Sequence, residues 1–260
     1  MSRRGASVGL LAIGAGVALL VVAVLVWVVA GSGLLRDTRP QLGQQPPAIH
    51  PLVLAFFAEA RDPDAAYSWQ QRGEITVTTP DEDFASRINA AGRANGEDWT
   101  AEMRVVEDGD AAFEGQVTIV SRHGYVRADG EAWVETGRIP AAQLGPVNPF
   151  ARITTVAELN YVGPETRDGV DGHILTTDKW LNEPEADDPL RRVAHVRSRE
   201  ALMEIFVNAT GVPLSALYTF AIEARTPAGE MVTLSGESRY RFDDWGAVEP
   251  VVAPSVEPAP

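Results

Sequence analysis

The chain is 260 residues long, with 22 basic and 36 acidic side chains and a formal net charge of −14. A surface this negative repels nucleic acid and anionic headgroups, so neither is expected as a partner. The chain has no cysteine, which excludes disulfides, thiolate catalysis, zinc–thiolate sites and lipidation on sulfur.

No charged side chain occurs from Gly5 to Leu35, and residues 8–30 are almost purely Val, Leu, Ala, Ile and Gly. A bilayer core needs about 20 apolar residues in a helix. The run therefore predicts a transmembrane helix at 8–30 behind a cytoplasmic tail at 1–7. A cleaved signal peptide is the rival reading, since Val28 and Ala30 fit a small-residue cleavage site. Its apolar core is usually about 7–15 residues, shorter than this run. Arg3 and Arg4 precede the helix, and Arg36 and Arg39 follow it with Asp37 between them. A short basic tail before one long apolar run is the form of a signal anchor, and Trp27 suits the outer interfacial belt. The expected location is the cell membrane, single-pass, with the C-terminal domain extracytoplasmic. Residues 31–47 hold Pro40, Pro46 and Pro47 among polar residues and read as a linker.

Residues 48–252 read as one domain, followed by a disordered proline-rich tail at 253–260. Residues 51–61, with Leu52, Leu54, Ala55, Phe56 and Ala58, predict a short helix. From there the dominant period is two, which is the strand period. A strand at about 67–79 carries Trp69, Ile75 and Val77 on one face. Trp99, Met103 and Val105 alternate with Thr100, Glu102 and Arg104. Phe113, Val117 and Ile119 alternate with Glu114, Gln116 and Thr118. Residues 124–127 and 132–135 flank a turn at Asp129 and Gly130. Asn148 and Pro149 give a helix start, with Phe150, Ile153 and Val156 facing inward. Asp188 and Pro189 repeat that signal for a short helical turn up to about His195. Met203, Ile205 and Val207 then alternate with polar neighbours. Tyr218, Phe220, Ile222 and Ala224 share one face, as do Val232, Leu234, Tyr240 and Phe242, and a turn at 226–229 joins the two strands. Nine or ten strands with short connections imply an antiparallel meander.

Every strand has one apolar and one polar face. The apolar face must be covered or must enclose something.

The order of signals also resembles a known family. A Gly-Tyr-Val-Arg-Ala-Asp-Gly-Glu-Ala-Trp run occupies 124–133. Val-Asp-Gly-His-Ile-Leu follows at 170–175, and Ile-Phe-Val-Asn-Ala-Thr-Gly-Val-Pro at 205–213. Tyr-Arg-Phe-Asp-Asp-Trp-Gly lies at 240–246 and Val-Val-Ala-Pro at 251–254. In these features the chain is similar to the LolA-like superfamily, and within it to LppX/LprG-type lipoproteins. The resemblance implies a mainly β (α+β) fold: a curved antiparallel half-barrel wrapped around a few short helices. It also implies a hydrophobic cavity for acyl chains, with no catalytic residues and no cofactor. The relatives are tethered by lipid on a cysteine, which this chain lacks, so the N-terminal helix is expected to serve as the tether.

The expected function is non-catalytic binding of lipid or another amphiphile. The candidate cavity-lining residues are Met203, Ile205, Val207, Tyr218, Phe220, Ile222, Val232 and Leu234. The alternative is a sensor or interaction module of a membrane complex, with a packed half-barrel and no ligand. Metal binding is not expected. His50, His123, His173 and His195 are scattered, and the acidic clusters at 81–83, 107–110 and 185–188 lack the spacing of a calcium loop. Asn208 and Thr210 form a glycosylation sequon in outline. Trp133 and Trp245 follow turns and are candidates for a cavity rim.

Overall fold

The computed structural model describes residues 49–60, 62, 64–81, 83–138, 150, 153, 155–178, 195–225 and 229–256, and of 195–199 the backbone alone. The expected tail, transmembrane helix and linker lie outside the described residues. So do the helix-start signals at 148–149 and 188–189 and the last four residues of the C-terminal tail. Among the described residues no helix is long and apolar enough to cross a membrane.

The fold is mainly β. One α-helix, α1 (Pro51–Ala60), precedes β1 (Ala66–Thr78), β2 (Asp83–Asn95), β3 (Asp98–Glu107), β4 (Asp110–Val120), β5 (His123–Ala128) and β6 (Val134–Arg138). A 3-10 turn at Val156–Glu158 leads into β7 (Asn160–Arg167), β8 (Val170–Thr177), β9 (His195–Val207), β10 (Pro213–Arg225) and β11 (Met231–Asp243). The eleven strands form one open antiparallel sheet in the order β6-β5-β4-β3-β2-β1-β11-β10-β9-β8-β7. Two meanders thus join at the sheet centre, where β1 pairs with β11 through Trp69↔Phe242, Gln71↔Tyr240 and Val77↔Leu234.

Turn chemistry fixes the register. Asp108–Gly109 and Asp168–Gly169 have positive φ at both residues, the geometry of a tight two-residue hairpin. The acidic cluster at 107–110 is therefore largely a turn. Ser121 and Arg122 adopt the same geometry without glycine, and Asp98 Oδ1 accepts the Ser121 N–H at 2.7 Å.

The strand count is one or two higher than expected. The sequence reading passes over β2 and β7. The inward positions at the start of β2's pairing with β1 are Ala94, Gly92 and Ala90, too small to register as an apolar alternation. β7 is an edge strand interrupted by Gly163 and Pro164, with a register shift there.

Small residues in β2 and β4 let neighbouring strands close over one another. A Cβ on Gly92 would lie 2.2 Å from the Thr100 carbonyl oxygen, and one on Gly115 would lie 2.2 Å from that of Arg127. Both positions are on the apolar face, so the sheet coils tightly there. A large twisted sheet curls in this way.

α1 covers one end of the apolar face. Pro51 sits at its first position, and His50 Nδ1 accepts the Leu52 N–H at 3.2 Å. Val53, Phe56 and Ala60 are buried, whereas Leu54 points to solvent. The Phe56 ring meets Phe150 edge-on at 5.1 Å, and Phe150 meets Phe242 at 5.1 Å. The helix rests on the β9–β10 turn, where a Cβ on Gly211 would lie 2.7 Å from the Ala55 Cβ. Phe150 and Ile153 are buried as expected for an inward face. The only helical geometry among the described residues of that segment is the 3-10 turn.

Candidate functional site

The inner face has two distinct ends. At the α1 end, Tyr67, Trp69, Phe242, Ile205, Val207, Leu175 and Trp99 are all buried in one core cluster. Trp245 belongs to this end. Its ring stacks on Tyr67 at 4.6 Å, and its Nε1 donates to the Pro213 carbonyl at 2.9 Å. It therefore seals the plugged end and forms no part of an open rim. Trp133 lies elsewhere, under the guanidinium of Arg127 at 5.0 Å.

At the far end the strands run on beyond the helix. Val77, Ile88, Phe113, Ile222, Val232 and Leu234 stay on the same face but are only half-buried. Phe84 is 43% exposed. The pairings Val77↔Leu234, Ile222↔Leu234 and Val77↔Phe84 make this a continuous apolar row across four strands.

The eight expected lining residues all fall on the inner face, and they divide between the two ends. Met203, Ile205 and Val207 have no exposed surface, so they are packed core. Tyr218 and Phe220 are buried one step further along and stack at 5.6 Å. Ile222, Val232 and Leu234 belong to the open end. Phe84 and Ile88 join them there, and sequence reasoning missed both because it missed β2.

A polar cluster interrupts the inner face near its middle. Gln71 is buried, and its Nε2 donates to the Tyr240 hydroxyl at 3.1 Å and lies 3.5 Å from Ser238 Oγ. Burial raises the Tyr240 phenol above its ordinary range, against a lowering hydrogen bond from Ser238. Two further donors on this face have no partner: the indole Nε1 atoms of Trp69 and Trp99. At the far rim Glu107 pairs across the strands with Ser86. Burial, and then the Asp108 charge, raise its carboxyl above the usual carboxylate range.

The outer face is polar. A groove of about 860 Å³ is lined by β1 to β5 and takes in both faces of the sheet, with Gln71, Ala90 and Met103 from the inner one. Its walls include Gln70, Arg72, Asn89, Glu102, Arg104, Glu114, Gln116 and Arg127. Gln116 Oε1 accepts from Arg127 at 2.6 Å, and Gln116 Nε2 donates to Glu102 at 3.2 Å. A smaller cleft of about 440 Å³ lies at the β7–β8 hairpin, beside His173. None of the eight expected lining residues borders either space.

The other sequence candidates have local roles. The His50 ring stacks on Tyr161 at 3.7 Å, and the Tyr161 hydroxyl lies 3.1 Å from His173 Nδ1. His123 pairs with Glu135 at 3.0 Å. Asn208 Oδ1 accepts from the Thr210 N–H, the Thr210 hydroxyl and the Val212 N–H, so it builds the β9–β10 turn. Among the described residues no three His, Asp or Glu side chains gather as a metal-binding group.

No protein-family model and no curated protein matches the chain. Among solved structures, it is similar to a lipovitellin structure described by its lipid–protein interactions, at 8% identity and a TM-score of 0.35. That match covers 75% of this chain and 26% of the other. A Pseudomonas aeruginosa MucA/MucB complex matches at 16% identity and a TM-score of 0.26, covering 76% of this chain and 57% of that one. A DUF1329 family protein from Desulfovibrio piger matches at 11% identity and a TM-score of 0.25, covering 74% and 93%. The chain thus spans about a quarter of the first of these proteins and somewhat over half of the second.

Proposed function

We propose that this domain is a non-catalytic, extracytoplasmic binding module that holds the acyl chain of an amphiphile against the open end of its inner sheet face. The carrying observation is the change in cover along one continuous apolar face. Side chains near α1 are fully buried, while Val77, Ile88, Ile222, Val232 and Leu234 are half-buried and Phe84 is exposed. An acyl chain laid along this row gains about 0.8 kcal/mol for each methylene removed from water. That suffices for retention without a specific polar contact. The resemblance to LolA-like half-barrels supports the same reading, and the apolar run at 8–30 would hold the module at one membrane. The acidic rim residues Asp81, Asp83, Asp108 and Asp110 disfavour an anionic headgroup at the mouth.

The test is a titration of the full chain in nanodiscs with pyrene-labelled palmitate, alongside a thermal melt. Wild-type protein should bind saturably. Leu234→Asp should lose binding while keeping its melting transition, because the new carboxylate sits at a wettable position. Absence of binding by the wild type would favour the second reading, an interaction module. The mixed-charge groove along β1 to β5 is the surface that reading would use.

A further inference from the structure

The inner face passes from closed to open at one row of side chains. Reading outward along β10, Tyr218 is 3% exposed and Phe220 is 9% exposed, whereas Ile222 is half-buried. On β1 the same step falls between Ile75, at 7%, and Val77, which is half-buried. Phe220 and Ile75 belong to the same row, because both pair with Gly236 on the intervening strand β11. The next row outward is Ile222, Leu234, Val77 and Phe84, the open apolar row.

A glycine in the middle of an inward-facing row leaves a gap that a neighbour must fill. Here Phe220 fills it from the side. A Cβ on Gly236 would lie 2.6 Å from Phe220 Cε1 and 2.7 Å from Cζ, the far edge of the ring. The ring therefore reaches off β10 and over β11, toward Ile75. Tyr218 stacks beside it at 5.6 Å and backs it from the closed side. The result is a bar across β10, β11 and β1 at the inner limit of the open row. Behind it the centre of the face is again small, with Ser238 between Tyr218 and Gly73.

We infer that Phe220, seated over Gly236, limits how far an acyl chain enters from the open row and so sets the chain length that the protein prefers. This rests on the acyl-binding reading above and adds a length selection to it. Each methylene taken out of water tightens binding about fourfold. Once the chain tip meets the bar, a further methylene stays outside and adds little. Successive rows on one face are two residues apart, roughly 7 Å along the strands. Removing the ring would add about one such row of depth, floored by Gly236. Adding a methyl at Gly236 would push the ring outward and take depth away.

The test uses the full chain in nanodiscs, with bound pyrene-labelled palmitate displaced by saturated fatty alcohols of increasing length. Each alcohol is corrected for its partition into empty nanodiscs. Wild-type affinity should rise about fourfold per methylene and then level off at one chain length. Phe220→Ala should move that break to longer chains and Phe220→Leu should move it part of the way. Gly236→Ala should move it to shorter chains. Thermal melts confirm that each variant is folded, and if Phe220→Ala unfolds, the leucine and Gly236 variants decide. A break at the wild-type length in all folded variants, or no break in the wild type, would overturn the length limit while leaving the acyl-binding reading standing. Failure of the wild type to bind the pyrene-labelled palmitate saturably would overturn both.

Discussion

The two ends of the inner face are made by the same strands, yet only one is closed. At the α1 end the inward residues are large and aromatic, and the helix, Phe150 and Trp245 interlock with them. At the far end the inward residues are mostly aliphatic, with Phe84 and Phe113 beside them, and are half-covered or exposed. The sheet's alternation is identical in both places, so alternation alone does not make a core. A strand delivers an apolar surface, and a separate element must cover it. Here α1 has ten residues, about 15 Å of helix, against strands of thirteen residues, which span roughly 43 Å at about 3.3 Å per residue. The helix is too short to cap the whole face. Among the described residues no other α-helix lies over the remainder.

The sharpest way to break this contrast is to make the same truncation at both ends. Ile205→Ala should cost about 2–5 kcal/mol, because a fully buried side chain leaves a cavity. Leu234→Ala should cost well under half as much, since its site is already half-open. Denaturant unfolding of the two variants measures the difference, and equal losses would mean that the far end is packed as tightly as the near one.

The coiling that shapes the sheet is tested at Gly92. Alanine there would bring a Cβ to 2.2 Å from the Thr100 carbonyl oxygen, so β2 and β3 must move apart. We expect a loss of about 1–3 kcal/mol, against little effect for alanine at the solvent-facing Ser235. A neutral Gly92→Ala melt would show that the close approach is not needed.

The polar cluster between the two ends comes next. Gln71→Leu would leave the buried Tyr240 hydroxyl without its donor and should cost about 1–2 kcal/mol. Pairing it with Tyr240→Phe should recover most of that loss, since both partners are then apolar. A double-mutant cycle reads the coupling.

The smallest expected effect is at the open rim. The Glu107 carboxyl is raised above its ordinary value of 4.5, first by burial and then by Asp108. The folded state therefore holds this proton at a higher pH than the unfolded chain does. Its stability should fall as pH rises from the ordinary value through the raised one, and the penalty persists above that window. Glu107→Gln should remove the penalty and flatten the stability–pH curve in that window. An unchanged curve would mean the carboxyl is as well solvated folded as unfolded.

Much of this was legible in the sequence, and the omissions have physical causes. Wherever a strand buries large residues, as at Trp69, Val105 and Ile205, period-two alternation found it. β2 escaped because its inward positions near the coil are Ala90, Gly92 and Ala94, small for the very reason that strands close over them. β7 escaped because an edge strand carries Pro and Gly instead of an apolar stripe. All eight proposed lining residues share the inner face, since parity is a local property. Which of them remain uncovered is not local, because it depends on where α1 ends relative to β9, β10 and β11. Met203, Ile205 and Val207 consequently belong to the core, and Ile222, Val232 and Leu234 to the open row. The unpaired indoles of Trp69 and Trp99 have no sequence signal beyond their parity, because a missing partner is visible only once the fold is assembled.

The central claim is that the open end, and not the plugged end or the polar groove along β1 to β5, receives an acyl chain. Photolabelling the full chain in nanodiscs with a diazirine placed at the tip of the acyl chain, followed by peptide mapping, tests it most directly. The account predicts adducts concentrated on Val77, Phe84, Ile222, Val232 and Leu234. Adducts confined to groove residues such as Gln70, Arg104 and Gln116, or no saturable labelling at all, would contradict it.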